Sequence, residues 1–254
     1  MTRLPRNRRT HLTPEEIAAE VLRQFDAGAT APSIRHLARA LDVAPSAIYH
    51  HYPSRAAIYT AGVDLVWQEA TAALLAEIAD PFTADPVEVL VTAGLVTRQA
   101  FLRHYRIAPY VAASHATTGL LANVLALIAS VMERLGLEDE AATACFHTYA
   151  SLTLGSVTFA ANRLIANDEL EFNTTGARFR STPDAEDASH SSEPMRRAVD
   201  AVIDLSTVDP ARDEELFATG LRRLIESFGL AVSADPPSAD AAAPGTPPPA
   251  PRAH

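Results

Sequence analysis

The sequence predicts an all-α protein with a small N-terminal head of three helices, a long fourth helix, and a larger helical bundle after it. Two observations predict this architecture. Apolar residues recur at the spacing of a helix face along most of the chain, and no stretch is a convincing strand. Thr13-Pro14 and Asp85-Pro86 are each followed closely by glutamate, a pattern typical of helix starts.

The composition excludes several classes of protein. The chain has 254 residues, which is enough for one or two domains with a real core. No apolar run approaches the roughly 18 residues of a membrane span, and the N-terminus lacks the apolar region of a secretory signal. The single cysteine, Cys145, excludes an internal disulfide and favours a reducing compartment. We therefore expect a cytoplasmic protein with no membrane partner.

Charge is distributed unevenly along the chain. The net charge is −10, yet residues 1–60 hold eight arginines and five acidic residues, a local balance of +3. The remaining residues therefore carry −13. Counterion release depends on cations that lie close to phosphate and not on the total charge. The basic end can therefore contact a nucleic acid although the whole chain is acidic.

The segment 32–55 reads as two short helices with a tight joint. The first is predicted from Ser33 to about Leu41, and the joint is Asp42-Val43. The second is predicted from Pro45 to about His51, since the fixed φ of proline suits a first helical position. Pro53 then ends it, because proline disfavours helix in the preceding residue. This is the helix-turn-helix arrangement, whose second helix enters the DNA major groove.

The flanking helices extend this pair. A first helix from Thr13 to about Gly28 braces it, and Ser54 caps a fourth helix that runs to about Ala79. The apolar residues predicted to form the core of the head are Ile17, Val21, Phe25, Ile34, Leu37, Leu41 and Ile48.

The rest of the chain is predicted to be helical, with three segments of different character. Helices are expected over 86–105, from Thr117 or Thr118 to Gly136, from Glu138 to about Asn167 and from Pro210 to Gly229, with a short helix over 195–203. Pro109 is expected to break the helical run that begins at 86. Residues 1–10 are predicted to be a disordered basic arm, 173–193 a mobile loop and 231–254 a disordered tail rich in proline and alanine. The expected domains are therefore 11–60 and 61–230.

Candidate DNA contacts lie at the exposed positions of the helix pair and at the start of the fourth helix. Arginine is the usual donor to guanine but also binds phosphate, so Arg35 can serve either role. Small side chains bring the backbone close to base edges, histidine and tyrosine can donate to phosphate, and a helix N-terminus favours phosphate. The full candidate set is Ser33, Arg35, Pro45, Ser46, Ala47, Tyr49, His50 and Arg55.

No catalytic or cofactor motif is present in the sequence. There is no G-x-S-x-G, no phosphate-binding loop and no G-x-G-x-x-G. The histidines after residue 100 form no H-x-x-x-H pair, so no metal site is expected. Cys145 lies in an apolar pattern without an adjacent base and is interpreted as a buried structural thiol. We therefore expect neither an enzyme nor a cofactor.

The N-terminal segment resembles the DNA-binding head of TetR-type transcriptional regulators. The match covers roughly residues 11–70 and rests on SIRHLARALDVAPSAIYHHYPSRAAI, with its aromatic run 49–52 followed by Ser54-Arg55. A second resemblance, to the tetracycline repressor group, rests on LEDEAATACFHTYASLTLGSVTFAANRLI. The resemblance implies a homodimer whose four-helix interface uses the segments 149–164 and 217–228. It also implies a repressor of a palindromic operator, released by a small apolar or amphipathic effector.

The resemblance further implies an effector pocket between the helices at 86–105, 117–135 and 138–167. Candidate lining residues are Phe101, His104, Tyr105, His115, Phe146, His147 and Asn162. The segment 111–114 offers no metal ligand, so a tetracycline–magnesium complex is not predicted. Two alternatives stay open: a DNA-binding regulator that responds to no effector, and a helical enzyme whose head only resembles a DNA-binding unit.

Overall fold

The computed structural model describes residues 12–113, 119–172 and 210–233. Within these ranges every regular element is a helix, and there is no strand. The elements in chain order are α1 (Pro14–Asp26), α2 (Ile34–Ala40), α3 (Pro45–His51), α4 (Arg55–Glu77), α5 (Pro86–Arg103), a 3-10 helix (Ala108–Ala113), α6 (Gly119–Arg134), α7 (Asp139–Phe172) and α8 (Pro210–Ser233). We call α1 to α3 the head and α5 to α8 the body; α4 belongs to both.

Side-chain caps set the starts of the head helices. The Thr13 hydroxyl accepts a hydrogen bond from the Glu16 N–H at 3.2 Å, and the Glu16 carboxylate accepts one from the Thr13 N–H at 3.1 Å. This reciprocal capping box confirms the predicted start of α1. Ser33 caps α2 by accepting from the His36 N–H, and Ser54 caps α4 by accepting from the Ala57 N–H.

The joint between α2 and α3 depends on Asp42. This residue adopts φ of 55°, in the left-handed region, where aspartate is tolerated better than most residues. The turn lets α3 begin at Pro45, as predicted, and α3 ends before Pro53. The helix-turn-helix geometry is therefore confirmed.

A continuous apolar core runs from the head through α4 to the 3-10 helix. It includes Ile17, Phe25 and Ile48, all fully buried, together with Val63 of α4 and Ile107 beside the 3-10 helix. Six of the seven predicted head-core residues are buried, and Ile34 is only partly buried against the cluster. Because this core crosses α4, the head is not packed as an independent unit.

A second apolar core joins the four body helices, and a buried charge cluster lies beside it. Arg98 of α5 is 2% exposed. Its guanidinium donates to the Asp213 carboxylate of α8 at 2.5 Å and to the Ser156 hydroxyl of α7 at 2.9 Å. Arg163 of α7 also donates to Asp213, at 2.8 Å. Charged hydrogen bonds thus fix α5, α7 and α8 relative to one another.

Several predicted boundaries were wrong. The helix expected over 86–105 ends at Arg103, and Pro109 lies near the start of the 3-10 helix, where a missing N–H removes no helical bond. The helix expected to stop near Asn167 continues to Phe172. The last helix continues through Gly229 to Ser233, since a helix held by packing tolerates an interior glycine at a cost of roughly 1 kcal/mol.

Some predictions fall outside the described residues. They are the basic arm 1–10, the start of α6 at Thr117 or Thr118, His115, the loop 173–193, the short helix 195–203, and the tail beyond Ser233.

Candidate nucleic-acid interface and ligand cavity

The exposed face of α3 carries most of the predicted DNA contacts. Pro45, Ser46 and His50 are exposed, Tyr49 is 50% exposed, and Ala47 is half-buried. Ile48 is fully buried in the head core and fixes the rotation of the helix. One side of α3 therefore packs on the head, while the other presents small side chains followed by hydrogen-bonding aromatic side chains.

Basic residues flank this face. Arg35 is exposed in the first turn of α2, and Arg55 is exposed in the first turn of α4, with its guanidinium 5.8 Å from the centre of the Tyr59 ring. Ser33 is half-buried, and its hydroxyl oxygen caps α2 by accepting the His36 N–H. Arg39, which is not among the predicted contacts, is also exposed, one turn after Arg35.

The aromatic run after α3 divides between surface and core. Tyr52 is half-buried, and its hydroxyl donates to the Pro14 carbonyl of α1 at 3.1 Å. Burial raises the pKa of this phenol. Tyr52 therefore holds the end of α3 against α1 while Tyr49 remains exposed.

The loop between α1 and α2 is attached to the elements behind it by two tyrosines. Tyr59 of α4 donates to the Pro32 carbonyl at 2.8 Å, and Tyr110 of the 3-10 helix donates to the Thr30 carbonyl at 3.2 Å. The rings of Phe25, Tyr59 and Tyr110 form a cluster with centroid separations between 4.9 and 5.4 Å. These contacts attach the loop that precedes α2 to both α4 and the 3-10 helix.

A largely apolar cavity of about 340 Å³ lies in the body. Its walls come from α4, α5, the 3-10 helix, α6 and α7, and most of the lining side chains are aliphatic. Aromatic and hydroxyl side chains complete the lining: Trp67, Phe146, Tyr149, Thr71, Thr97 and Thr153. The size lies at the lower end of the range of small-molecule sites.

The polar groups of the cavity differ in their hydrogen bonding. The Thr71 hydroxyl donates to the Trp67 carbonyl at 2.8 Å. The Tyr149 hydroxyl donates to the Leu90 carbonyl at 3.0 Å, and burial raises the pKa of this phenol, so it stays neutral. The Thr153 hydroxyl is buried and has no hydrogen-bond partner among the described residues. None of the described lining residues is charged.

Of the effector-binding residues predicted from the sequence, Phe146 lies on the cavity wall. Phe101 does not line the cavity; it is fully buried behind the wall, with its ring 5.1 Å from that of Trp67. His147 is exposed because it lies between the buried Cys145 and Tyr149, about half a turn away from both.

Three other predicted residues also lie elsewhere. His104 lies at the junction of head and body, where its ring nitrogens are 2.9 Å from the Asp26 carboxylate and 3.2 Å from that of Glu69. Tyr105 donates to the Asp168 carboxylate near the end of α7, which raises the pKa of the phenol. Asn162 is exposed on α7. These positions are polar because they face charged partners or solvent.

Large apolar side chains are exposed on α7, within the predicted interface segment 149–164, and on α8, one residue before the predicted segment 217–228. Leu152, Phe159 and Leu164 of α7 are 37%, 62% and 37% exposed, and Leu216 of α8 is 40% exposed. We call these four residues the α7–α8 patch. Gly155 and Gly220 lie on the same helices, and a Cβ added to either would meet nothing within 4 Å in the described chain.

The described residues hold neither a cluster of metal-ligating side chains nor a helix suited to cross a membrane. No three histidine, cysteine, aspartate or glutamate side chains lie close enough together there to hold a metal ion. No helix in that part of the chain has the length and hydropathy needed to cross a membrane.

No protein-family model and no curated protein matches this sequence. Solved structures match its fold. ActR from Streptomyces coelicolor, without ligand, superposes with a TM-score of 0.65 at 19% identity, covering 87% of this chain and 97% of its own. The same TetR family protein in complex with actinorhodin gives 0.65 at 18% identity, covering 89% and 100%.

TetR from Acinetobacter baumannii AYE gives a TM-score of 0.59 at 20% identity, with 87% of this chain and 98% of that one covered. The chain therefore has the fold of the TetR-family transcriptional regulators. The likeness extends over the body as well as the head.

Proposed function

We propose that the protein is a TetR-type transcriptional repressor that binds a palindromic DNA operator as a homodimer and is released by a small effector. The observation that carries the proposal is the α3 face. Ile48 fixes α3 on the head core, and this orientation exposes Ser46, Tyr49 and His50 between Arg35 and Arg55. The fold likeness supports the same function.

DNA contacts follow from this orientation. With α3 in the major groove, the small residues Ser46 and Ala47 reach base edges, and alanine can contact a thymine methyl. Arg35 donates to a base or a phosphate from the adjacent α2. Tyr49 and His50 donate to phosphates, and Arg55 adds positive charge at the N-terminus of α4, where a phosphate is favoured.

A palindromic operator requires two heads, and the α7–α8 patch supports a homodimer. Burying Phe159 and Leu216 against a second copy removes large apolar side chains from water. The open space at Gly155 and Gly220 permits close approach of the partner helices. Half-sites are read about one helical turn, roughly 34–36 Å, apart, so the interface must hold the heads at that separation.

Effector release follows from the connection between cavity and head. Trp67 of α4 and Val111 of the 3-10 helix line the cavity. Tyr59 and Tyr110, on those same two elements, hold the loop that precedes α2. A ligand that binds more tightly to a second arrangement of α4 and the 3-10 helix moves the heads away from the operator spacing.

The experiment is a selection of bound sequences from a random duplex pool, followed by fluorescence anisotropy of the selected site. We expect Arg35→Ala and His50→Ala each to weaken binding roughly tenfold, as for loss of one base or phosphate contact. Arg212→Ala is the matched control, because Arg212 is an exposed arginine at the start of α8. Light scattering should show the same dimer for all four proteins. Equal binding of the selected site by both head variants and the parent would contradict the assignment.

A further inference from the structure

We propose that His104 is a proton-controlled latch between the head and the body. Its Nδ1 atom lies 2.9 and 3.0 Å from the two carboxylate oxygens of Asp26, and its Nε2 atom lies 3.2 Å from both carboxylate oxygens of Glu69. When both ring nitrogens carry a proton, the ring joins the two carboxylates; when one proton is lost, one of these bonds is lost with it. The latch does not depend on the proposed function, because all three side chains belong to one chain and neither DNA nor an effector takes part.

The ring lies where helices of the head and the body meet. Asp26 is the last residue of α1, Glu69 lies within α4, and His104 caps the end of α5, where its backbone N–H donates to the Ala100 carbonyl at 3.3 Å. The negative end of the α1 dipole disfavours the Asp26 carboxylate, and the negative end of the α5 dipole favours a cation at position 104. The helix ends therefore bring together a carboxylate that a cation would stabilise and a side chain that can become that cation.

Both ring nitrogens of a histidine can donate only when the imidazole is charged. A neutral imidazole has one N–H and one lone pair. Whichever carboxylate the neutral ring donates to, its other nitrogen presents the lone pair to the remaining carboxylate, which is unfavourable. The imidazolium ion donates to both carboxylates, and each bond then joins opposite charges. The carboxylates lie against different nitrogens of the ring, so the three side chains do not converge on a single metal ion.

The fixed charges around the ring leave one negative charge unbalanced. Asp26 and Glu69 carry two negative charges, and the Arg103 guanidinium, 3.6 Å from the Glu69 carboxylate, supplies one permanent positive charge. Protonation of His104 brings the sum to zero. The next charged side chains along the chain are paired elsewhere: Arg23 with Glu20 at 2.6 Å, and Arg106 with Asp168 of α7 at 2.6 Å. Among these groups, His104 is the one whose residue type changes charge near neutral pH.

The latch stabilises the folded protein in mild acid and weakens as the pH rises. The ordinary pKa of histidine is about 6.5. A contact that requires the second ring proton therefore contributes fully below that pH, and its contribution falls as the pH rises above it. The side chains of His104, Asp26 and Glu69 are 16%, 38% and 42% exposed, so solvent partly screens the contacts and the effect is modest. Under the proposed function, movement of the head, and with it release of the operator, becomes pH-dependent.

Thermal unfolding of the full-length protein between about pH 5.5 and pH 8.5 tests the latch, because carboxylates ordinarily stay ionised over this range. His104→Gln, which removes the titratable group, should lower Tm by about 2–4 °C at the acidic end, the usual shift for one moderate interaction in a chain of this size, and by clearly less at the basic end. In a background of Asp26→Asn and Glu69→Gln, the same substitution should show no such dependence on pH. His147→Gln is the matched control, because His147 is an exposed histidine of α7, and it should leave Tm unchanged at both ends.

A second measurement follows the ring protons directly. In protein with isotopically labelled histidine at about pH 5.5, nuclear magnetic resonance should show both N–H protons of His104 exchanging slowly with water. The signals that disappear in His104→Gln assign them. Asp26→Asn should speed the exchange of the Nδ1 proton, and Glu69→Gln that of the Nε2 proton, because each loses its charged acceptor.

Three outcomes of the unfolding measurements would overturn the inference. An equal loss of Tm in His104→Gln at both ends of the pH range would mean that the ring acts through packing and not through its proton. A pH-dependent loss that persists without the two carboxylates would place the effect elsewhere. A loss no larger than that of His147→Gln would exclude the latch. Operator binding is measured separately by anisotropy, so each of these results leaves the proposed function standing.

Discussion

Most polar contacts within the head join residues that are close in the chain, whereas the polar contacts between the body helices join distant residues. In the head, Thr13 and Glu16 cap each other across one helical turn. In the body, Arg98 and Asp213 are joined although 115 positions separate them. Both regions are helical, yet the head is fixed mainly by local patterns and an apolar core. The body depends on pairings that form only when distant helices meet.

This difference matches what each region does under the proposed function. The head presents a fixed surface to DNA, so its helices need defined starts and a rigid core. The body surrounds a cavity, so its helices must be held apart in some places and clamped in others. The clamp of Arg98, Asp213 and Arg163 joins α5, α7 and α8.

The largest expected effect is therefore in the body. Asp213→Ala should destabilise the protein by about 3–5 kcal/mol, because it leaves the buried Arg98 charge without its carboxylate. The free energy of unfolding from urea denaturation measures this loss.

Arg98→Met is the matched variant. It removes the buried charge itself, while Asp213 keeps Arg163 at 2.8 Å. Its cost should be clearly smaller than that of Asp213→Ala. If the two substitutions lowered the free energy of unfolding equally, pairing of the buried Arg98 charge with Asp213 would not be what holds these helices together.

The second effect concerns the close approach of α5 and α8. A Cβ added to Gly94 would lie 2.4 Å from Cδ2 of Leu221, which is fully buried and has little room to move. Gly94→Ala should therefore cost about 1–3 kcal/mol in the free energy of unfolding. Gly220→Ala, beside Leu221, meets nothing within 4 Å in its own chain, so any cost that it has should arise at the proposed dimer interface and not between α5 and α8. A neutral Gly94→Ala would show that α8 shifts easily on α5.

The contrast between local contacts in the head and long-range contacts in the body also decides which features could be predicted from the sequence. Helix starts after Thr13, Ser54 and Asp85 were predicted correctly because a cap and the residues that follow it form a local signal. The orientation of α3 was also predictable. Ile48 is its one large aliphatic residue, and it turned inward as expected.

The cavity could not be predicted in the same way. Its wall is mostly aliphatic, and an aliphatic residue beside a cavity has the same sequence pattern as one in a filled core. Polar and aromatic residues such as His104 and His147 stand out more in the sequence, but they lie at the junction of head and body and on the surface.

A third, smaller effect tests the connection between the two regions. Tyr59→Phe should cost about 1–2 kcal/mol, since it leaves the buried Pro32 carbonyl without its donor. Tyr110→Phe should cost less, because its bond to the Thr30 carbonyl is longer and more exposed. Thermal and urea unfolding measure both. A larger loss for Tyr110→Phe would mean that the 3-10 helix, and not α4, is the stronger attachment of the loop.

The smallest expected effect is a surface ion pair between α5 and α8. Arg222 donates to both carboxylate oxygens of Glu88, at 2.7 and 3.0 Å, and this hydrogen bonding lowers the pKa of Glu88 below its ordinary value. Both side chains are substantially exposed, so solvent screens the pair and Glu88→Gln should cost only about 0.5 kcal/mol at pH 7. A carboxylate with a lowered pKa stabilises the folded state above its unfolded pKa of roughly 4.3. That contribution is lost as the pH falls through the lower, folded value.

The difference in unfolding free energy between the parent and Glu88→Gln should therefore be constant above about pH 5 and decrease as the pH falls below it. A double-mutant cycle with Arg222→Gln isolates the pair from other effects of each substitution. A coupling energy that persisted undiminished at pH 3 would mean that the contact acts through packing. A coupling of several kcal/mol at pH 7 would show that the surface of the body is also held by strong long-range pairs.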